Sequence, residues 1–508
     1  MHTPAPIKVK KRPFLSAAFV RAMLAGHSAL GLAFAALIYV VCLSGALAVF
    51  VQEFARWEQP DGPMVEATPA PEVIAAMLRA GYARAQAEGA AHDIYLSGPL
   101  RSPGRMQVHY DDHEKGIEGE WLADAQGQLA VPITAPWADF IGALHMQLHL
   151  PRTWGMYLVG LTGVALFSSL ISGLLSHPRI FKDAFMLRRG GSLRLQEADL
   201  HNRLGVWGLP FHVVVSVTGA LLGLSSLIVG VLALAAYDGD RGKAVAALFG
   251  PPPTNDSTPA PVPDIGAMIL QVQASQPQAE FASAFVQHIG TAGQITQLGM
   301  HLPGRIAFSQ AYRFGADGKM ISAANAHEGR VGQWILTALQ PLHFGWFAGI
   351  AGKLLYGALG LALAVVTHTG VTIWLARRRD KGRPAPGWEK TWAVVGWSQP
   401  LGIATTALAA VLAAGVPLIA VYLLTIAAAA GVAIVASDAR ATVRVLRLLS
   451  ALVFVAAAGV HVAAWRTVAV DQMAWIVDVA LVIAALVIAA PLLVRHRQVG
   501  LAEPTQAH

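Results

Sequence analysis

Along the chain, long apolar runs alternate with two long polar intervals. Runs able to cross roughly 30 Å of hydrocarbon, about 20 helical residues, fall near 25–50, 153–175, 204–235 and 350–375. Four more follow near 399–416, 417–436, 446–466 and 473–494, the first two joined through a tight turn at "AAGVPL". The pattern predicts about eight membrane-spanning helices. The polar intervals, about 53–137 and 236–335, have a different rhythm. Each opens with a helical pattern, "APEVIAAMLRAGYARAQAEG" in the first and "PDIGAMILQVQASQ" in the second, and continues in alternating stretches such as "RMQVHYDD" and "FASAFVQHIG". Alternation marks half-buried strands, so each interval reads as a small α+β module. The stretch "GPPPTNDSTPAPVPD" before the second module reads as a linker.

The chain also repeats itself. "GHSALGLAFAALIYVVCLSGAL" from Gly26 matches "LHNRLGVWGLPFHVVVSVTGAL" from Leu200, and "GLTGVALFSSLISG" from Gly160 matches "GALGLALAVVTHTG" from Gly357 with three glycines in register. The first 380 residues therefore read as two copies of helix, external module, helix. The expected fold is a polytopic α-helical membrane protein of about eight spans with two extracytoplasmic α+β modules. Its divisions are 1–52 (N-terminus and first span), 53–137 (module 1), 138–235 (spans two and three), 236–335 (module 2), 336–380 (span four) and 381–508 (a C-terminal four-helix membrane region).

Composition agrees with this reading: of 508 residues, 55% are hydrophobic and only 13% charged. The net charge of +7 comes from short basic clusters beside apolar runs, namely Lys8 to Arg12, Arg179 to Arg189, Arg377 to Lys381, Arg440 to Arg447, and Arg495 with Arg497. That is the signature of cytoplasmic loops, not of a nucleic-acid surface, and it puts both termini in the cytoplasm and both modules outside. The first apolar run is too long for a signal-peptide core, so it reads as a retained span. The lone cysteine, Cys42, excludes an intrachain disulfide and a thiolate metal site. Redox chemistry would then need a bound cofactor.

Histidines carry the candidate chemistry. His27 and Gly45 are eighteen residues apart, five turns of a continuous helix, as are His201 and Gly219. A ring nitrogen then shares its face with a small residue that lets another helix, or a flat group, approach. His145 and His343 occupy equivalent positions near the outer face, with His149 one turn beyond His145. His212 and His368 each lie nine residues from an arginine, Arg203 and Arg377, and so at one depth, roughly 14 Å into the membrane. Ionisable groups in spans are costly and mark function. Histidines paired by depth suit six-coordinate haem, whose iron takes an imidazole on each side. Zinc would favour cysteine or carboxylate partners, and the spans hold almost none. His177 reads equally as an interfacial residue or a functional one, and "HYDDHE" (His109 to Glu114) as a solvated turn in preference to a metal site. Trp137, Trp154, Trp346 and Trp374, at span ends, read as interfacial anchors.

With "ALHMQ", "WGMYLVGL", "SHPRIFKDAFMLR", "PLHFG", "GKLLYGALG" and "THTGVTIWLARRR" added to the repeated motifs, the chain resembles the PepSY-associated transmembrane family over roughly 15–380. Within it, the chain resembles the inner-membrane ferric-siderophore reductases and iron-uptake proteins of Gram-negative bacteria. The resemblance implies PepSY-like external modules and two b-type haems, on His27, His145, His201 and His343, with His212 and His368 belonging to a siderophore-reducing subset. It also implies outward electron flow to ferric siderophores or other ferric chelates in the periplasm. Apart from the resemblance, His149 can stand in for His145, and a ligand among His212 and His368 would shorten the roughly 37 Å between His343 and His368 on a continuous helix. The loops lack an FAD or NAD(P)H fingerprint, so the expected donor is separate, a quinol or a flavoprotein. Two other classes fit the sequence: a haem-free scaffold whose modules bind a periplasmic partner, and a siderophore permease.

Overall fold

The computed structural model describes residues 15–90, 92–177, 179–185, 193–250, 252–303, 309–323, 331–467 and 471–499. The basic residues Lys8, Lys10, Lys11, Arg12, Arg188 and Arg189, and the side chains of Trp346, Arg495 and Arg497, lie outside that description.

The first half comprises α1 (Ala17–Ala33), α2 (Ala35–Ala48), α3 (Val51–Glu58), α4 (Pro71–Glu88), β1 (Asp93–Ser97), β2 (Met106–Asp112), β3 (Ile117–Ala123), β4 (Leu129–Pro132), α5 (Pro136–Gln147), α6 (Arg152–Ser176) and α7 (Ile180–Ala184). The next part runs α8 (Leu193–Trp207), α9 (Leu209–Gly223), α10 (Ser225–Ala236), α11 (Arg241–Phe249), α12 (Ile265–Ser275), β5 (Glu280–Gln287), β6 (Ile295–His301), β7 (Gln310–Phe314), β8 (Met320–Ala323), α13 (Val331–Phe344), a 3₁₀ turn at Trp346–Ala348 and α14 (Gly349–Asp380). Last come α15 (Pro386–Leu412), α16 (Leu418–Val435), α17 (Ala439–Trp465) and α18 (Gln472–Val499).

Six described helices, α6 and α14 to α18, are long and apolar enough to cross a membrane, or up to eight if two bent pairs each count as one span. Their outward faces are apolar: Ile434 and Val435 are more than four-fifths exposed, an arrangement that suits lipid. The bent pairs are α1 with α2 and α8 with α9, each turning by 69°. At the second bend, Pro210 sits in the first turn of α9, where it cannot donate to the turn before it. The bends correct one expectation. His27 with Gly45, and His201 with Gly219, do not lie on one straight helix, so the five-turn register does not place them on a shared face.

The two polar intervals meet edge to edge. Their strands make one antiparallel sheet in the order β4-β3-β2-β1-β5-β6-β7-β8, with Ile94 opposite Val286 and Ser97 opposite Ser283 at the seam. α4 and α12 cover one face, and Ile74, Leu78, Val108, Ile269, Val286 and Met300 belong to a single buried core. Gly89, in the left-handed region at φ 78°, ends α4 where a side chain would be strained.

α3 joins the sheet to the helices. Its Glu53 pairs with buried Lys353 of α14 at 2.7 Å, Arg56 pairs with Asp471, and the Trp57 Nε1–H donates to Asp478 of α18 at 2.9 Å. Asp478 also holds the Nδ1 of His461 at 2.9 Å, and the His461 ring stacks on Trp57 at 4.6 Å between centroids. Glu58 accepts the backbone N–H of Trp137 (2.7 Å) and of Ala138 (2.9 Å), capping the start of α5. Trp137 is almost completely buried and donates to Thr406, so it is a core residue and not an interfacial anchor. Trp154, 71% exposed, does stand at a span end.

Burial pushes the Glu58 carboxyl up to about 8, against the two N–H bonds that favour its ionised form. A raised carboxyl disfavours the folded state once it must ionise, so stability conferred at low pH is lost as pH rises towards 8. The expected result is a thermal midpoint that falls between about pH 5 and pH 8 and levels off above, read by tryptophan fluorescence. Glu58→Gln, neutral throughout, should flatten that slope, and an unchanged slope in this variant would exclude Glu58 as its source.

Candidate functional site

Two cavities lie in the helical bundle, one on the sheet side and one on the far side. Each contains a pair of histidines brought together from different helices.

On the sheet side, His145 of α5 faces His343 of α13 with ring centroids 6.0 Å apart and planes 19° from parallel. The His145 Nδ1 is 3.0 Å from the carbonyl oxygen of Val41. The His343 Nδ1 is 3.0 Å from the Thr218 hydroxyl. Each ring packs against a glycine of the neighbouring helix. A Cβ built on Gly45 would lie 2.6 Å from His145 Cε1, and one on Gly219 would lie 2.9 Å from His343 Cε1. The glycines on the repeated helices thus make room for imidazoles that arrive from α5 and α13. The cavity between the rings is about 350 Å³, with walls that include Phe211, Val215, Gln340 and Tyr356.

On the far side, His27 of α1 faces His201 of α8 with centroids 6.4 Å apart and planes at 73°. The His27 Nδ1 is 2.9 Å from the Ser169 carbonyl, and the His201 Nδ1 is 2.9 Å from that of Val366. Gly173 and Gly370, in register in the sequence repeat, are the residues against which these rings pack: Cβ atoms there would come within 3.0 Å of His27 Cε1 and 3.4 Å of His201 Cε1. This cavity is about 400 Å³. The two cavities adjoin, since Ile38, Leu166 and Leu363 line both.

The donor chemistry is the same at all four rings. An Nδ1–H that bonds to a carbonyl or hydroxyl oxygen fixes the tautomer, leaving the Nε2 lone pair for a ligand. Two imidazoles sharing one metal ion, each bound at about 2 Å through Nε2, would place their centroids roughly 6 Å apart, which both pairs match. Most of the remaining lining is apolar, as a flat macrocycle requires, with polar residues such as Gln340 in the sheet-side cavity and Ser28, His177, Asn202 and Arg377 in the far one. No group of three or more His, Cys, Asp and Glu side chains able to hold a bare metal ion occurs among the described residues. The residues present therefore fit haem, bound by two imidazoles per iron.

His149 stands apart. α5 ends at Gln147, Leu148 and His149 adopt positive φ, and the His149 ring turns back onto Phe140 with its Nε2 2.9 Å from the Phe140 carbonyl. It leaves the helix face it was expected to share with His145. His212 is fully buried with its ring over Gly208, and His368 stacks on Trp392 at 5.5 Å between centroids, close to Tyr39. Neither lines either of these two cavities. The long helical path assumed between His343 and His368 does not exist, because α13 ends at Phe344 and the chain turns at Gly345, φ 72°, before α14 begins. His177 lines the far cavity. In "HYDDHE", His109 pairs with the Glu120 carboxylate at 3.2 Å, which raises the pKa of its ring, and His113 is exposed to solvent.

All four paired histidines stand out in the sequence motifs, as do Gly45 and Gly219, although these glycines meet His145 and His343 and not His27 and His201. The roles of Gly173 and Gly370 appear only in the structure, although their register is visible in the sequence, and those of Val41, Ser169 and Val366 rest on backbone carbonyls that leave no sequence signal.

Comparison with known proteins agrees in the same region. The PepSY-associated TM region matches residues 24–377. The chain belongs to that family. It is also similar to the uncharacterized protein PA4219 of Pseudomonas aeruginosa, 32% identical over 259 residues, which are 48% of this chain and 64% of that relative. The match thus spans a little under two thirds of the relative's length. The family region takes in both histidine pairs, whereas α15 to α18 lie beyond it. The protein is a multi-pass membrane member of this family with an antiparallel sheet domain.

Proposed function

We propose that this protein is a b-type membrane cytochrome that carries electrons through the bundle and delivers them to a ferric siderophore or similar ferric chelate beside the sheet. On this reading the membrane is the bacterial inner membrane, the sheet is periplasmic and derives from two PepSY-like modules of a tandem repeat, and both termini are cytoplasmic. The single observation that carries it is the pair of facing imidazoles in each cavity, all four with Nδ1 anchored and Nε2 left for iron.

His145 and His343 would hold one haem b and His27 and His201 the other. When bound, haem supplies reversible one-electron exchange between ferric and ferrous iron. The chain's residues supply everything else. Val41, Thr218, Ser169 and Val366 orient the imidazoles, Gly45, Gly219, Gly173 and Gly370 admit them, and the apolar walls exclude water. The chelate's ferric iron gains one electron and becomes ferrous, which weakens its hold on hard oxygen ligands. The electrons come from a separate donor, a quinol or a flavoprotein.

Mixing dithionite-reduced protein with a panel of ferric siderophores and following the Soret band tests this reading. Reoxidation by at least one chelate, faster than by air, is expected. Purified protein with no Soret band after expression in ample haem would sink it. A finer test uses the glycines. Gly45→Val must push His145 off the Val41 carbonyl, so about half of the haem should be lost, while Gly26→Val, with no atom within 4 Å of the added carbon, should keep all of it. Equal haem in the two variants would break the link between Gly45 and the cofactor.

A further inference from the structure

The two cavities differ in one respect that the histidine geometry does not explain. The far cavity has a charged rim: Arg377 lines it together with Asn202 and Ser28. The lining of the sheet-side cavity contains no lysine or arginine among the described residues. Arg377 also differs from the basic residues that follow it. The Arg378 guanidinium lies over the Trp374 ring at 5.2 Å, and Arg379 pairs with Glu389 at 2.7 Å. Arg377, Asn202 and Ser28 have no hydrogen-bond or ion-pair partner among the described residues. Ser28 and Asn202 each follow a paired histidine directly, His27 and His201. Exposed Arg377 and half-buried Asn202 and Ser28 thus gather at one cavity beside one imidazole pair.

Their spacing suits an anion carried on a flat ring. Arg377 is seven residues after Gly370, two helical turns, and so projects from the same face of α14 about 10 Å further along the axis. Gly370 packs against His201, which marks the level of the imidazoles. A cation displaced from that level by this amount, on a long stem, is placed for the carboxylates at the edge of a porphyrin centred between the rings. Arginine binds a carboxylate through a planar fork of donors, and with Asn202 and Ser28 beside it the rim offers further hydrogen bonds to the same group.

We infer that Arg377, with Asn202 and Ser28, forms the carboxylate-binding rim of the far-side haem site and so fixes the orientation of that haem, while the sheet-side site has no cationic counterpart. The inference rests on the di-haem reading. A cation beside the propionates offsets negative charge that would otherwise favour ferric iron, so it raises the reduction potential of the group it holds. The two haems are therefore unequal, and Arg377 is one cause.

The test is a spectroelectrochemical titration of wild-type protein, Arg377→Gln, Arg377→Lys and Arg379→Gln, each purified as the full chain, with haem content measured alongside. In Arg377→Gln the haem of the His27–His201 pair should shift to lower potential or be lost, with the other unchanged. Arg377→Lys should recover most of the shift, and Arg379→Gln, which removes the same charge from a residue that pairs with Glu389 and does not line the cavity, should leave both potentials alone. Retention of the sheet-side haem at its wild-type potential shows that the bundle has folded. Wild-type protein without haem would overturn the di-haem reading and this inference together. Two haems in the wild type with unchanged potentials and content in Arg377→Gln, or an equal shift in Arg379→Gln, would overturn this inference alone.

Discussion

His343→Ala is expected to halve the haem content of the purified protein and to leave the remaining haem spectroscopically intact. The two histidine pairs share no ring, and each ring has its own anchor: Thr218 for His343 and Val41 for His145, Ser169 for His27 and Val366 for His201. Loss of one imidazole leaves its partner alone in an apolar cavity, with a single axial bond to hold the group. A pyridine haemochrome assay reads the stoichiometry. Low-temperature electron paramagnetic resonance reads which haem has gone, because the relative orientation of axial imidazoles governs the anisotropy of low-spin ferric iron. Planes 19° apart, as at His145 and His343, give a rhombic signal, whereas planes near 73°, as at His27 and His201, give a broad, strongly anisotropic feature at low field. His343→Ala should therefore erase the rhombic signal and His201→Ala the anisotropic one. A His343→Ala protein that keeps both signals would refute the pairing. So would a His149→Ala protein that loses the rhombic signal, since the His149 ring is bonded to Phe140 of its own helix.

Much of this site was legible in the sequence, for identifiable reasons. Apolar runs of membrane-crossing length are a strong local signal, and α6, α14 and α16 follow them to within a few residues. Matching motifs brought out His27 with His201 and His145 with His343, and the structure sets the rings of each pair about 6 Å apart. What the sequence did not reveal was direction. Nothing near Phe34 announces a 69° turn, so a ring on α1 and a glycine on α2 looked like one face of one helix. Likewise, two modules of similar pattern give no sign that β1 and β5 are the edges that join, since an edge is defined only by what it lacks. The contacts of α3 were invisible for another reason. Trp57 meets His461 and Asp478 more than 400 positions away, and no periodicity reports a pair at that range. That network bears on the site all the same. Through Glu58, α3 caps the helix that carries His145, so the C-terminal helices beyond the family region stand behind the sheet-side pair.

On the proposed di-haem reading, the order of the two sites along the electron path gives the second large expected effect. The cavities share Ile38, Leu166 and Leu363 in their walls, so the two proposed haem sites adjoin. The sheet-side pair sits on α5 and α13, which follow directly from the two halves of the sheet, while His27 and His201 lie beyond the bends on the opposite side. A chelate that docks beside the sheet should therefore draw electrons through the His145–His343 pair, and the donor should supply them through His27 and His201. The two variants should fail at opposite ends. His201→Ala, still holding its sheet-side haem, should be reoxidised by ferric chelate after chemical reduction, yet its haem should not be reduced in membrane vesicles supplied with the natural donor. His343→Ala should show the reverse: the remaining haem is reduced in vesicles, but ferric chelate reoxidises it far more slowly than in the wild type. Widening the divide tests the junction itself. Leu363→Ala opens space between the cavities without touching a ligand, so both haems should be retained while electron transfer between them slows, read as a lag between the two signals after rapid mixing with chelate. If His343→Ala is reoxidised by ferric chelate as fast as the wild type, the chelate does not receive its electron at the sheet-side pair, and the direction assigned to this path is wrong.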